Sequence, residues 1–214
     1  MQDKKSPASG EQRRRFLRRS AALGTALALS RPAAAASIAE TAGEVLINGA
    51  RAMREAVIRA GDRIETAAGA HIAFRVGNDA FLLREMSVVV LEASPGSRAI
   101  MSGLRLLTGA LLGVFGAGMK MIQTNLVTGA IRGTGIYVEV TAKRAYFCTC
   151  YGDVGLTAAD GAKKDVATRN HSAHFVYPAG QAGGTIVAAD MVNHHNRELA
   201  MLEKLAGRAA RLPT

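Results

Sequence analysis

Apolar positions in this chain recur in short runs broken by glycine rather than in long helical stripes. From Gly43 to about Leu156 the alternation is clearest in Ile72-Ala73-Phe74-Arg75-Val76, in Ser87-Val88-Val89-Val90-Leu91 and in Ile136-Tyr137-Val138-Glu139-Val140, the period of two that predicts half-buried strands. Turn formers stand between them at Gly61-Asp62, Gly69, Gly77-Asn78-Asp79, Pro95-Gly96 and Gly133-Thr134-Gly135, too closely spaced for helical crossovers. The expected fold class is therefore all-β, a twisted solenoid-like or sandwich-like domain. The stretch from Leu104 to Ile122 is strongly apolar, but its charge-free part, Leu106 to Met119, carries four glycines. Each would cost a helix about 1 kcal/mol, so two or three packed strands are predicted there rather than a membrane helix.

The remaining segments read differently. Ala50 to Ala60 is rich in helix formers, yet the flanking Gly49 and Gly61 suit a hairpin, and the pattern leaves both open. From His171 to Gly184 the polar, Gly- and Pro-containing composition reads as a long loop or poorly ordered excursion. Near the end, Asn196 is an expected N-cap, and Leu199, Leu202, Leu205 and Ala206 form one apolar stripe up to Gly207, predicting a short C-terminal amphipathic helix. The expected organisation is a β domain over 37–156 and a loop-rich extension with one helix over 157–214.

The charge is unevenly spread. Of a formal net charge of +10, the first 36 residues carry +6, from eight basic residues against Asp3 and Glu11, which leaves +4 for the rest. A nucleic-acid partner loses most of its support on that division. The basic residues precede an uncharged apolar stretch, Ala21 to Ser30, then Pro32 and the small residues Ala33 to Ala36, the layout of an export leader cleaved after Ala36. Ten apolar residues are too few to span a bilayer, which takes about 20, so no stable transmembrane span is expected after cleavage. Within this region Arg13-Arg14-Arg15-Phe16-Leu17-Arg18 resembles a twin-arginine export signal, with Arg13 and Arg14 as its pair. That resemblance implies a periplasmic protein exported already folded.

Two further segments carry a family resemblance. Gly61-Asp62-Arg63-Ile64-Glu65-Thr66-Ala67-Ala68-Gly69-Ala70 resembles the opening of the FecR domain, and Thr124 with Thr128 to Val140 (TGAIRGTGIYVEV) resembles that family's most specific run. Gly133 and Gly135 in it suit a sharp turn or close stacking where a Cβ would clash. The resemblance spans roughly residues 43 to 156. It implies a twisted, solenoid-like all-β domain with a non-catalytic role in sensing or relaying a signal across the envelope, usually in iron uptake; the expectation for this chain is a stand-alone binding or signalling module that recognises another envelope protein through a sheet face or the C-terminal helix. The anti-sigma segment and membrane span of the best-known members have no counterpart in this pattern.

No hydrolase elbow, phosphate-binding loop or dinucleotide fingerprint is present, and Gly161 to Lys164 lacks the spaced glycine of a Walker loop, so an enzyme is not expected. The chemistry-bearing exception is Cys148-Thr149-Cys150, the chain's two cysteines, in a predicted strand from Arg144 to Tyr151. Positions i and i+2 of a strand share a face, so both sulfurs can approach one ion. Downstream lie His171 and His174, then the adjacent pair His194-His195. Two thiolates and two imidazoles make a tetrahedral zinc set that soft sulfur would also open to copper, and the expected ligands are Cys148, Cys150, His171 and His174. The competing readings are a disulfide or intermolecular pairing, which an oxidising compartment favours, and inert burial. A disulfide within Cys148-Thr149-Cys150 would be strained. His71 is expected to be a strand surface residue.

Overall fold

The computed structural model describes residues 38–180 and 183–212. The leader, with Arg13, Arg14 and the cleavage position, lies outside the described residues. The chain forms β1 (Ile38–Ala42), β2 (Val45–Ile47), β3 (Ala50–Arg51), β4 (Arg63–Thr66), β5 (His71–Val76), β6 (Asp79–Leu83) and β7 (Val88–Ser94). It continues through β8 (Ser97–Val114), β9 (Met119–Gln123), β10 (Val127–Val140), β11 (Ala145–Ala158), β12 (Lys163–Thr168), β13 (Ser172–Val176) and β14 (Ile186–Ala189) to one helix, α1 (Asn196–Leu205). The fold class is all-β with a short C-terminal helix.

The strands form one continuous sheet, and the three long ones pass through both of its halves. In the first half, the C-terminal part of β11 pairs with β12, the N-terminal part of β10 with β9, and the N-terminal part of β8 with β7, followed by β4, β2 and β3. In the second half, the order β14, β13, β11, β10, β8, β6, β5, β1 uses the other ends of β8, β10 and β11. Each long strand carries a glycine with positive φ where it crosses over: Gly109 (φ 81°), Gly133 (φ 60°) and Gly152 (φ 95°). Such backbone strongly favours glycine, which lets the strand bend without a break. The halves share one core, in which Ile64, Val89, Leu104 and Ile131 of the first join Phe74, Leu83, Leu111 and Phe147 of the second.

The second half is also covered on its outer face, where Leu199 and Leu202 of α1 join Ala80, Leu82, Leu112, Tyr137 and Tyr146 in a second apolar cluster. This two-sided burial explains why β6 and the first seven residues of β11 are buried without alternation, since a strand with no solvent face has no polar face to show. Beneath the helix, Glu203 is fully buried; it accepts a hydrogen bond from the Tyr151 hydroxyl and pairs with Arg208 and Arg211. A buried carboxylate persists only when paired in this way.

Some expectations are met or decided and others change. Residues 50–60 form no helix; Asn48 (φ 53°) and Gly49 (φ 80°) close a β2–β3 hairpin, the primed turn that Asn-Gly favours. The apolar stretch from Leu104 to Ile122 is two strands, within the expected two or three: the second part of the 18-residue β8 and most of β9. The stretch expected as a loop from His171 instead begins with β13, and β11 runs without interruption past Leu156, so strands continue through residues 157–189. The helix starts one residue earlier than expected, with His195 at its cap and its N–H donating to Glu198 at 2.9 Å. Gly133 supplies the expected bend, and a Cβ on Gly135 would lie 2.5 Å from the Tyr151 ring.

At Gly109 an added Cβ would stand 2.1 Å from the Ser87 hydroxyl oxygen, on a backbone with φ 81°. Gly109→Ala is expected to destabilise the domain by about 1–3 kcal/mol, read as a lower denaturant midpoint with unchanged slope. An unchanged midpoint would show that the crossing does not depend on that glycine.

Candidate metal centre

The centre is built on the cross-strand rows of the second half-sheet. Register places Ala73, Leu82, Leu112, Tyr137, Cys148 and Ala173 side by side on the outer face. Ile72, Leu83, Leu111, Val138, Phe147 and His174 form the matching row on the inner face. Cys148 and Cys150 therefore both face the segment that carries α1, as strand periodicity requires. Both are free thiols and fully buried. His174, three residues after His171, falls on the opposite face beside Phe147, so it does not join the cysteines. It is buried, its Nδ1 has no partner among the described residues, and burial and then Lys164 push its pKa down.

The fourth position belongs to His194. Tyr137 stacks on its ring, with centroids 4.6 Å apart and planes 18° apart. The Tyr146 hydroxyl donates to the Asp190 carbonyl at 3.0 Å and accepts from the Val192 N–H at 3.1 Å, and Arg84 donates to the Asn193 carbonyl at 2.8 Å. Two sheet tyrosines and an arginine thus hold the return segment down, directing His194 at the sulfurs. His171 arrives from the turn between β12 and β13, its N–H bonded to the Cys150 carbonyl at 2.9 Å.

Cys148 Sγ lies 3.6 Å from His171 Nδ1, Cys150 Sγ lies 3.5 Å from His194 Nε2, and the two nitrogens are 3.2 Å apart. All four donor atoms lie within 4.8 Å of one another. Zinc bonds of about 2.3 Å to sulfur and about 2.0–2.1 Å to nitrogen give a tetrahedron with edges of roughly 3.3 Å (N to N), 3.6 Å (N to S) and 3.8 Å (S to S). Three of the six donor-to-donor distances, at 3.2, 3.5 and 3.6 Å, match these edges, and the others lie within 4.8 Å.

The outer nitrogens are also engaged. His194 Nδ1–H donates to the Val192 carbonyl at 2.7 Å and His171 Nε2–H to Asn196 Oδ1 at 2.8 Å. These bonds fix the tautomers that aim both remaining lone pairs inward, as is usual for metal-binding imidazoles. Two inward lone pairs at 3.2 Å repel unless a cation, proton or metal, lies between the ligands. Without metal a proton serves: the hydrogen bond to Cys148, opposed by burial, pushes the His171 pKa up. Cys148 is driven far below the ordinary thiol range by the hydrogen bond from Cys150 and, against the opposing cost of burial, by those to His171 and His194. Cys150 is pushed well up by burial and by the neighbouring Cys148 thiolate. A metal would displace these protons.

Of the remaining candidates, His195 is exposed, and His71 lies on β5, 3.2 Å from Glu40. Sequence reasoning noted His194 without selecting it; the signal was its place just before a helix N-terminus, where a folded-back segment meets the sheet.

No family model matches the chain, and no curated protein does either. Among solved structures, it is similar to two crystal structures, at 2.50 and 1.65 Å resolution, of a candidate anti-sigma factor from Parabacteroides distasonis ATCC 8503. Each has a TM-score of 0.49 at 12% identity, covering 60% of this chain and 59% of that one. Among the described residues, no helix is long and apolar enough to cross a membrane.

The metal-free protein is expected to show the ultraviolet absorbance of one thiolate per chain at neutral pH, persisting as pH falls well below the ordinary thiol range and abolished by Cys148→Ser. Two cysteines titrating as ordinary thiols would contradict this account.

Proposed function

We propose that this protein is a non-catalytic, metal-binding regulatory module of the bacterial envelope, with zinc held by Cys148, Cys150, His171 and His194. The observation that carries the reading is the match between three of the donor-to-donor distances and the edges of a tetrahedral Cys2His2 site. Copper(I) suits the same soft donors, but two thiolates and two imidazoles in this geometry favour zinc. Four protein ligands complete the tetrahedron and leave no position for a reacting water, which supports a structural or sensing role over a hydrolytic one. The twin-arginine-type leader supports action outside the cytoplasm, and the FecR-like segments, which lie on β4 with the turn after it and on β10, support recognition of another envelope protein. Metal ligation also accounts for two free thiols in an oxidising compartment, where unligated neighbours tend to oxidise.

Protein isolated from the periplasm without a histidine tag is expected to carry one zinc per chain by elemental mass spectrometry. His194→Ala and Cys148→Ser should lose it, whereas His174→Ala should retain it. Chelation should lower the thermal midpoint, and added zinc should restore it in a concentration-dependent way. Metal-free protein that cannot be loaded would overturn the reading, and retention of metal in His194→Ala would overturn the ligand set.

The partner is tested by crosslinking in intact envelopes. One envelope protein is expected with the wild type and not with Cys150→Ser; no partner in either strain across several growth conditions would remove the recognition role.

A further inference from the structure

The four ligands are not equally enclosed. Cys148 and Cys150 are fully buried in β11, Cys148 between Tyr137 of β10 and Ala173 of β13 and Cys150 at the bulge opposite Gly135 and Ile136, and His194 is buried under Tyr137. None of these three can leave without opening the sheet or lifting the return segment from it. His171 is only partly buried. It sits in a turn with φ 35°, outside the strand ladder, and lines a surface pocket of about 590 Å³ together with Asn170, Met191, His195, Asn196 and Arg197. Met191 and His195 are both exposed there. They bring a thioether and an imidazole, donors that suit the same soft ions, to the mouth of a closed site.

We infer that metal enters and leaves the folded protein through His171, which swings into this pocket while Cys148, Cys150 and His194 retain the ion. The inference rests on the metal-binding reading above. Turning the His171 ring out breaks its hydrogen bond to Asn196 Oδ1 and its metal bond, but no strand pairing, so this opening is far cheaper than any that frees a cysteine. The vacated position faces the pocket, where Met191, His195 or a donor group on an incoming metal carrier can take up the fourth coordination position. Asn196, the first residue of α1, acts as a positioning residue: it touches the ligand and not the ion, and sets how readily His171 departs. A site of this design exchanges its ion without unfolding, as a metal-responsive module requires and a permanent structural zinc does not.

The test uses the mature chain loaded with zinc, mixed with an excess of a chromogenic chelator, with release followed in time and global unfolding measured separately in a denaturant jump. Release is expected at least about tenfold faster than unfolding. Asn196→Ala should speed release about tenfold, the lower end of what outer partners of metal ligands contribute. Asn196→Asp, a stronger acceptor for the His171 N–H, should slow it, and so should His195→Ala, which removes a donor at the mouth. The opposed signs at one position separate positioning from simple damage to the helix. Release at the unfolding rate, indifferent to both Asn196 variants, would overturn the exchange path while leaving the site intact. Failure to load one zinc at the outset would overturn the metal reading itself.

Discussion

Strand β11 is buried on both faces along its first half, and most of the architecture answers to that constraint. A strand with apolar side chains on both sides needs two cores. The folding of the sheet on itself at Gly109, Gly133 and Gly152 supplies the inner one. The outer one exists only because the C-terminal segment returns across the sheet and lays Leu199 and Leu202 on it. A ten-residue helix is too short to be stable alone in water, where isolated helices need about 12–15 residues. It therefore depends on this surface as much as the surface depends on it, and the Tyr151, Glu203 and Arg208 cluster ties the two polar ends together beneath it.

The metal centre lies where this return begins. Two ligands belong to the sheet, one to a turn beside it, and one to the segment that carries the helix, so one ion would crosslink parts of the chain that meet only in the folded state. Coordination energy at such a site is folding energy, because the unfolded chain offers no preformed set of ligands. Tyr137 and Tyr146 serve both purposes: as large side chains of the outer core they bury apolar area, and as a stacking surface and a hydrogen-bonding group they place His194. Packing and ligand placement here use the same residues.

The fold class was legible in the sequence because alternation and closely spaced turn formers are local signals. The C-terminal helix was legible in its Leu199 and Leu202 stripe. The hairpin at Asn48-Gly49 was half legible, obscured by good helix formers after it. The strands beyond residue 157 were not, since Lys163 to Thr168 lies at a sheet edge and shows little apolar character, while β13 and β14 are short and separated by a Gly-rich connection. At the site, Cys148 and Cys150 followed from strand periodicity alone. The choice of His174 ignored the same periodicity: a spacing of three in a strand reverses the face, which rules against pairing His171 with His174 once β13 is known to be a strand. Selecting His194 needed the tertiary return of the chain, which no local pattern encodes.

The placement of the cysteines also bears on why a metal rather than a disulfide fits this pair. Residues i and i+2 of an extended strand hold their Cα atoms near the outer edge of disulfide geometry, and bending β11 to close the bond would disturb ladders with β10 and β13 at once. A tetrahedral ion asks for sulfurs about 3.8 Å apart, and here both cysteines share one face with all four donor atoms within 4.8 Å of one another. The inward-facing imidazoles point the same way, since a disulfide would remove the thiolate that Cys148 offers them and leave the two lone pairs opposed. Strand geometry, the outer hydrogen bonds of both histidines and the depressed pKa of Cys148 each favour a cation at this position.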